Sequence, residues 1–276
     1  MVSRETPKAA WIIVLTSTND YVKGVVTIAQ ALRRVRSNYP LVVLYTDAVT
    51  ESAQQRLKES GCILKHIDPI RPRGKVTYFT ERFTETWTKL AVWGQDEYER
   101  LVLLDADMLP LQNMDELMTL RLPDSDHVAA CHACTCNPQK IKAYPSDWVP
   151  ENCAYTRHRE SKYFNSGLIV LTPSRLKFEA ILTKLHSLPD LNIYKFPDQD
   201  FLNQVFQDKW LELPYIYNAL KTLPKAHSNL WQMEHVKNIH YILAKPWDAN
   251  PKALDADSDY GQLYKLWWNV FESTKK

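Results

Sequence analysis

Apolar residues occur along the chain as short continuous runs that alternate with regularly spaced stripes. The run at residues 11–16 predicts a buried strand, and the apolar positions that follow it recur with the spacing of one helical face. A run at 41–46, a polar helix at 51–60 closed by Gly61, and a further run at 62–67 repeat this order. The alternation predicts an α/β fold with a mostly parallel, Rossmann-like central sheet flanked by helices.

A central strand is predicted to end abruptly at an acidic residue. Apolar spacing predicts a helix at 87–94, and the four-residue apolar run 101–104 stops at Asp105. In open α/β sheets, ligands bind beyond the carboxyl ends of such strands. The polar residues that follow position 104 are therefore candidates for a binding site.

The second half of the chain contains a long irregular segment. Residues 132–163 are polar, rich in proline, cysteine and aromatic residues, and lack periodicity, which predicts an excursion from a single domain spanning residues 1–276. The elements predicted after it are, in chain order, a strand at 167–171, a helix with Thr172 as N-cap and Pro173 as its first residue, a helix at 198–207, a strand at 236–243 and a closing helix at 263–271.

Composition narrows the classes of function. The 276 residues carry 34 basic and 32 acidic side chains, so no overall field points to nucleic acid or to an anionic membrane. No early apolar run is long enough for a signal peptide or a spanning helix, and we therefore expect a cytoplasmic protein. An odd total of five cysteines predicts reduced thiols rather than a disulfide framework.

The triplet Asp105-Ala106-Asp107 is the strongest candidate for chemistry. Two carboxylates separated by one small residue can converge on a hard divalent cation where the strand gives way to a turn. Such a cation bridges the phosphates of a nucleotide diphosphate and stabilises the charge of that leaving group. His240, within predicted strand 236–243, is the candidate third ligand, and this mixed set suits Mn²⁺ better than Mg²⁺. The alternative for His240 is a hydrogen-bonded core histidine.

Several cysteines lie close together in the sequence. Cys131, Cys134 and Cys136, with His132 among them, could form a zinc site, because thiolates at such spacings can share a tetrahedral metal. The spacing is not a paired Cys-x-x-Cys framework. Ordinary reduced cysteines beside the long excursion are the alternative interpretation.

The chain resembles the retaining glycosyltransferases of family 8 over nearly its whole length. The segments that carry the resemblance, in family order, are Thr18-Asn19-Asp20-Tyr21-Val22-Lys23-Gly24-Val25-Val26, Leu104-Asp105-Ala106-Asp107, Phe164-Asn165-Ser166-Gly167, Asp198-Gln199-Asp200-Phe201-Leu202-Asn203, Tyr217-Asn218, His240-Tyr241, Lys245-Pro246-Trp247 and Trp267-Trp268.

This resemblance implies a GT-A fold, a UDP-sugar donor, Mn²⁺ and retention of the anomeric configuration. It also implies roles for individual residues, by their positions in the matching segments. Those that match nucleotide and diphosphate contacts are Leu15, Thr16, Ser17, Tyr21, Arg82, Asp105, Ala106, Asp107 and Lys245. Those that match metal ligands are Asp105, Asp107 and His240. Those that match residues around the donor sugar and its anomeric carbon are Lys89, Asn165, Asp198 and Gln199.

Within the family, the chain is more similar to galactinol synthases than to glycogenins. This favours galactose transfer from UDP-galactose to myo-inositol, with glucose and N-acetylglucosamine as the other donor sugars. A glycogenin-like enzyme that glucosylates its own tyrosine is an alternative, but residues 219–231, where that acceptor falls, contain no tyrosine. A catalytically silent nucleotide-sugar-binding protein is a second alternative, and a homodimer stays open.

Two positions depart from the family pattern. Thr18 stands where glycogenin carries an asparagine in the nucleotide loop. The segment between His240 and Lys245 is shorter than in either relative and lacks the glycine that usually lets backbone approach the diphosphate. We therefore expect different phosphate contacts there, and we expect the excursion 132–163 to cover the acceptor side of the cleft.

Overall fold

The computed structural model describes residues 8–77, 85–156, 162–255, 258 and 260–274. Within these ranges the strands form one large and one small sheet. The strands are β1 (Ala9–Leu15), β2 (Leu41–Tyr45), β3 (Ile63–His66), β4 (Arg100–Leu104), β5 (Met108–Pro110), β6 (Val128–His132), β7 (Phe164–Leu171), β8 (Trp210–Leu213), β9 (Ala219–Leu220) and β10 (Asn238–His240).

Helices cover both faces of the large sheet. The α-helices are α1 (Tyr21–Arg34), α2 (Glu51–Glu59), α3 (Arg175–Ser187), α4 (Pro197–Val205), α5 (Leu223–Ala226) and α6 (Gly261–Ser273). The 3-10 helices are Thr86–Gly94, Asp115–Thr119, Pro150–Asn152, Tyr215–Asn218, Met233–His235, Pro246–Asp248 and Pro251–Ala253.

The large sheet has the order β3-β2-β1-β4-β7-β6-β8. Its pairs are parallel except that β7 runs antiparallel to both β4 and β6. Strand β1 shows why the sheet is covered on both sides. Trp11 and Ile13 point into the core shared with α1 and α2, and Ile12 points into the opposite core. The predicted mostly parallel α/β sheet is confirmed.

The small sheet brings two distant parts of the sequence together. Its order is β5-β10-β9, and His240 pairs with Met108 across the antiparallel β5–β10 ladder. Met108 directly follows Asp107 in the sequence. The register of this short ladder therefore sets His240 beside Asp107.

Several predicted boundaries were wrong. The helix predicted to start at Thr172 and Pro173 begins at Arg175, because the hydroxyl of Ser174 accepts the cap hydrogen bond from Lys177 N–H. Strand β7 starts earlier than predicted, so the Asn165-Ser166-Gly167 segment is strand rather than turn. The helix predicted at 87–94 is a 3-10 helix.

The excursion lies between β6 and β7. Of its described residues, only Pro150–Asn152 forms a helix, and residues 157–161 lie outside the described ranges. Among the described helices, none combines the length and the apolar character that crossing a bilayer requires.

Candidate functional site

A cavity of 590 Å³ opens beyond the carboxyl ends of β1 and β4. This is where the topology of an open α/β sheet places ligands. The cavity brings together the described residues that sequence reasoning singled out: Leu15, Thr16, Ser17, Tyr21, Lys89, Asp105, Ala106, Asp107, Asn165, Asp198, Gln199, His240 and Lys245.

Two carboxylates and one imidazole converge on this cavity. His240 Nε2 lies 3.2 Å from Asp107 Oδ1 and 3.8 Å from Asp105 Oδ2. One ligand atom from each residue lies within 4.8 Å of the other two. Asp107 is only 4% exposed, whereas the Asp105 side chain is 27% exposed and faces the opening. We call these three residues the oxygen-rich cluster.

The orientation of His240 is set by its second ring nitrogen. Nδ1 lies 2.8 Å from Asn218 Oδ1, and Asn218 Nδ2 donates to Asn165 Oδ1 at 2.8 Å. Since the Asn218 oxygen must accept, the hydrogen-bond network assigns the proton to Nδ1 and directs the lone pair of Nε2 toward the carboxylates. Gly167 makes room for the ring, because a Cβ there would lie 2.4 Å from His240 Cε1.

Lys245 closes the inner side of the oxygen-rich cluster. Its ammonium donates to Asp107 Oδ2 and, at 3.1 Å, to the carbonyl of Tyr241. Burial alone would raise the pKa of Asp107, but this is outweighed, chiefly by the charge of the adjacent Lys245 ammonium, and the pKa lies well below its usual range. Asp107 is therefore an anion at neutral pH although it is buried.

Lys89, from the Thr86–Gly94 helix, bridges two other acids. Its ammonium lies 2.9 Å from Asp105 Oδ1 and 2.7 Å from Asp198 Oδ2. Burial alone would lower the pKa of Lys89, but the charges of Asp105 and Asp198 raise it well above its ordinary value. Lys89 therefore stays an ammonium at neutral pH and holds the two acids together.

A hydrogen-bond network between β7 and α4 holds the residues predicted near the anomeric carbon. The Gln199 amide oxygen accepts from Asn165 Nδ2 at 2.9 Å and from Ser166 N–H at 3.2 Å. The Gln199 amide nitrogen donates to the Tyr163 hydroxyl at 2.9 Å. The Ser166 hydroxyl donates to Asp198 at 3.0 Å. Gln199 and Asp198 are therefore fixed in orientation, and Asp198 lies inside the first turn of α4 rather than at its N-cap.

The predicted nucleotide loop follows β1. Thr46 Oγ1 donates to the carbonyl of Thr16 at 2.8 Å, and Asn19 Nδ2 donates to Ser17 Oγ at 2.9 Å. These bonds hold the loop between β1 and α1 at the cavity mouth. Leu15, the last residue of β1, is buried below it.

Tyr21 stands at the start of α1. Its ring meets that of Trp247 edge to face, with centroids 5.1 Å apart, and the Lys245 ammonium lies 5.9 Å from its centroid. The ring is therefore held between the nucleotide loop and the inner wall of the cavity. Arg82, the remaining predicted nucleotide contact, lies outside the described residues.

Aromatic side chains form the opposite wall of the cavity. Trp148 stacks on Phe196 with centroids 4.9 Å apart and an interplanar angle of 19°. Tyr144 meets both rings edge to face at 5.2 and 5.0 Å. We call these three residues the aromatic wall. Two of them come from the excursion, so it does border the cavity.

The short segment after His240 turns without a glycine. Leu243 has φ of +64°, in the left-handed region that normally favours glycine. Tyr241 N–H donates to the Asp107 carbonyl at 2.8 Å, which anchors the start of the segment. Leu243 thus makes the turn in a segment that contains no glycine.

The cysteine cluster differs from the one predicted. Cys131 donates its thiol to the Pro214 carbonyl at 3.2 Å, and His132 Nε2 faces Glu212 at 3.3 Å. Cys134 and Cys136 instead group with residues far away in the sequence. The set predicted around Cys131 and His132 was therefore wrong.

Sequence reasoning gave no role to several residues of the site. Asn218 orients His240, Ser166 binds Asp198 and Tyr163 binds Gln199. Asn218 and Ser166 lie in segments that carried the family resemblance, and this position in the sequence could have marked them as site residues. Tyr163 precedes such a segment and carried no such mark.

The oxygen-rich cluster fits a divalent cation. With the Nδ1 proton bound to Asn218, His240 can offer Nε2 as a metal ligand beside the Asp107 carboxylate, and a shared cation satisfies both. Carboxylates with one imidazole are ligands that divalent metals such as Mn²⁺ accept. Lys89, between Asp105 and Asp198, and Lys245, on Asp107, place two ammonium groups beside the cluster.

Comparison with known proteins gives the family and the fold. A family model described as glycosyl transferase family 8 matches residues 12–250. Galactinol synthase 4 of Arabidopsis thaliana is 31% identical over 280 residues, which cover 96% of this chain and 81% of that protein.

Solved structures give the fold. The WbbM bifunctional glycosyltransferase structure matches 96% of this chain with a TM-score of 0.65 at 19% identity, and the chain spans 52% of it. The galactosyltransferase LgtC, solved with donor and acceptor sugar analogues, matches 96% of this chain and 95% of its own with a TM-score of 0.59 at 14% identity. The fold is GT-A.

Proposed function

The chain belongs to glycosyl transferase family 8, and we propose that it transfers galactose from UDP-galactose to a hydroxyl of myo-inositol with retention of configuration. The reaction class follows from the family, and galactinol synthases are its relatives at 31% identity. The donor sugar and the acceptor are our proposal. The observation that carries it is the convergence of Asp105, Asp107 and His240 on a cavity edged by two lysines.

We propose Mn²⁺ as the cofactor, held by Asp105, Asp107 and His240. When bound, the ion neutralises charge that develops on the diphosphate leaving group. Asn218 keeps His240 in the tautomer that can serve as a ligand. Asp105 is the more exposed of the two carboxylates that would hold the ion.

Lys245 binds the anionic part of the donor. Lys245 approaches the diphosphate from the inner side, and Tyr21 offers its ring to the uracil base. Leu15, Thr16, Ser17 and Ala106 line the nucleotide side. Lysine ammonium groups suit phosphate as compact counter-charges.

The donor sugar lies against Lys89, Asn165, Asp198 and Gln199. The acceptor hydroxyl attacks the anomeric carbon on the face from which UDP departs, and a β-phosphate oxygen takes its proton. Gln199 and Asp198 steady the positive charge of the sugar electrostatically, because their hydrogen bonds fix their dipole and charge beforehand. The chain therefore needs no carboxylate as a strong nucleophile.

The aromatic wall favours a cyclic polyol as the acceptor. Flat rings pack against the apolar faces of sugar-like rings, and the polar groups opposite them bind hydroxyls. The wall lines the same cavity as the metal ligands. An inositol ring placed there presents a hydroxyl toward the donor sugar.

A donor and acceptor screen tests the proposal. The purified chain is incubated with Mn²⁺, each of UDP-galactose, UDP-glucose and UDP-N-acetylglucosamine, and with or without myo-inositol. We expect a galactosylated inositol whose anomeric configuration, read by NMR coupling constants, matches that of the donor. An inverted product would contradict the mechanism, and transfer to another acceptor would contradict the substrate assignment.

The same incubations test the alternatives. Hexoses added to the protein itself, seen by intact-mass measurement, would favour a glycogenin-like enzyme. Binding of UDP-sugar without any hydrolysis or transfer in Mn²⁺ would favour a silent binding protein. A single domain over residues 1–276, a cytoplasmic location and a homodimer stay predictions, to be tested by proteolysis, microscopy and light scattering.

A further inference from the structure

Three cysteines and one histidine converge outside the oxygen-rich cluster. Cys134 and Cys136 follow β6 at the start of the excursion, and Cys153 follows the Pro150–Asn152 helix near its other end. His227 comes directly after α5. One ligand atom of each residue lies within 4.8 Å of the other three. We call these four residues the sulfur-rich cluster.

The distances within this cluster match the edges of a metal tetrahedron. His227 Nε2 lies 3.2 Å from Cys136 Sγ, 3.4 Å from Cys134 Sγ and 3.5 Å from Cys153 Sγ. The sulfur atoms of Cys134 and Cys153 are 4.0 Å apart. Zinc with Zn–S bonds of about 2.3 Å and a Zn–N bond of about 2.0 Å has S···N edges of about 3.5 Å and S···S edges of about 3.8 Å.

We propose that these four residues bind a structural zinc ion. Three thiolates and one imidazole are a soft donor set, which selects zinc over the oxygen-preferring Mn²⁺. Cys136, Cys153 and His227 are buried and Cys134 is partly buried, so the protein fills all four positions. A closed set of four protein ligands is typical of a structural site.

A disulfide between two of the cysteines explains the convergence of the four side chains less well than a zinc site does. A bond between Cys134 and Cys153 needs sulfur atoms about 2.05 Å apart, against the 4.0 Å found. It would also leave Cys136 and His227 facing each other without a function. The zinc site uses all four side chains.

The zinc ion joins segments that border the cavity. Cys134 and Asn137 line the cavity from the excursion, and Thr222 lines it at the start of the turn into α5. Few regular elements hold the excursion, so the metal ties both its ends to the segment that follows β9. This inference does not depend on the proposed reaction.

Metal analysis of the full chain tests the site. Inductively coupled plasma mass spectrometry of protein purified with zinc and a thiol reductant is expected to find one tightly held zinc ion per chain. Cys136→Ser and His227→Ala are expected to lose it. Cys62→Ser, at a buried cysteine elsewhere, and Asp107→Ala, in the oxygen-rich cluster, are expected to keep it.

Cobalt substitution gives a second readout, independent of whether the variants fold well. Co²⁺ bound by wild-type protein is expected to show the intense visible bands and thiolate charge-transfer absorption of a tetrahedral site, and Asp107→Ala is expected to retain them. A wild-type chain that holds no zinc and gives no such bands would overturn the proposal. So would a Cys134–Cys153 disulfide found by mass spectrometry of protein purified under these conditions.

Discussion

The two ligand clusters of this chain are built in opposite ways. The oxygen-rich cluster takes its residues from the ends of strands, and Asp105 faces the open cavity. The sulfur-rich cluster takes its residues from irregular segments and closes on itself. The first offers hard ligands and room for a donor, and the second offers soft ligands and no room. The contrast is the one expected between a site for a cation that takes part in turnover and a site for one that holds structure.

Support around the two clusters differs in the same way. His240 is oriented by Asn218, which in turn binds Asn165 on β7. His227 has the Tyr155 ring beside it at 5.6 Å, from the excursion that the metal itself would fix. Residues of the sheet thus hold the oxygen-rich ligands in position without a metal. In the sulfur-rich cluster, the proposed metal would itself hold the surrounding segments in position.

Replacing Asp107 tests whether the oxygen-rich cluster is the one needed for turnover, and it has the largest expected effect. Asp107→Ala deletes a metal ligand and leaves the Lys245 ammonium without its carboxylate. We expect kcat for sugar transfer to fall about 10³-fold, since a charge-stabilising group is lost. Steady-state kinetics with Mn²⁺ measure the fall, and activity within tenfold of wild type would contradict the assigned ligand set.

Chelation distinguishes the clusters within one sample. Brief treatment with EDTA is expected to lower transfer about 10²-fold or more, because a metal that stabilises the leaving group supplies several kcal/mol. Added Mn²⁺ is expected to restore it, while the zinc content stays constant. Loss of zinc at the same rate as activity would remove the distinction between an open and a closed site.

Asn218→Ala tests how far the sheet prepares the oxygen-rich site. It frees Nδ1 of His240, and we expect Mn²⁺ to be bound about 10–100-fold more weakly. Activity at saturating Mn²⁺ should be largely recovered. Asn192→Ala, at an exposed asparagine remote from the cavity, is the matched control, and equal Mn²⁺ dependence in both variants would rule out the positioning role.

Gly167→Ala, on β7, would place a methyl group against the ring of His240. The new methyl would lie 2.4 Å from His240 Cε1, so the ring must move. We expect the free energy of unfolding to fall by about 1–3 kcal/mol, as overpacking costs, and transfer to fall with it. Gly94→Ala, with a methyl 3.0 Å from the Phe178 ring and away from the cavity, is the milder control. Thermal unfolding and kinetics that do not separate the two variants would contradict the close approach.

The smallest expected effect concerns the turn at Leu243. In Leu243→Ala, a residue with a Cβ atom still occupies the left-handed region, where a Cβ is strained. In Leu243→Gly there is no Cβ, so that strain is absent. We expect the glycine variant to be more stable than the alanine variant by about 1 kcal/mol. Denaturant titration measures the difference, and an alanine variant that is the more stable would show that φ at this position is not strained.

Much of the fold could be predicted because long apolar runs leave few choices. Strands β1, β2 and β4 lie within two residues of their predicted positions, and a helix follows β1 as the apolar spacing predicts. Strands β5 and β9 were missed, since they have three and two residues and exist only through pairing with β10. Their pairing is a tertiary effect that no local pattern carries.

The site could be predicted where the family resemblance supplied its residues. The cavity brings together those described residues, although their individual roles stay predictions. The sulfur-rich cluster could not be read in the same way. His227 lies 91 positions from Cys136, so local spacing instead pointed to His132 and Cys131, which turn toward other partners.

The four residues Tyr241 to Ala244 are all that separate His240 from Lys245. Both ends are pinned, one by the ladder to β5 and the other by the ammonium on Asp107. So short a segment, fixed at both ends, places the imidazole and the ammonium on the two oxygens of one carboxylate: His240 Nε2 faces Asp107 Oδ1, and the Lys245 ammonium donates to Asp107 Oδ2.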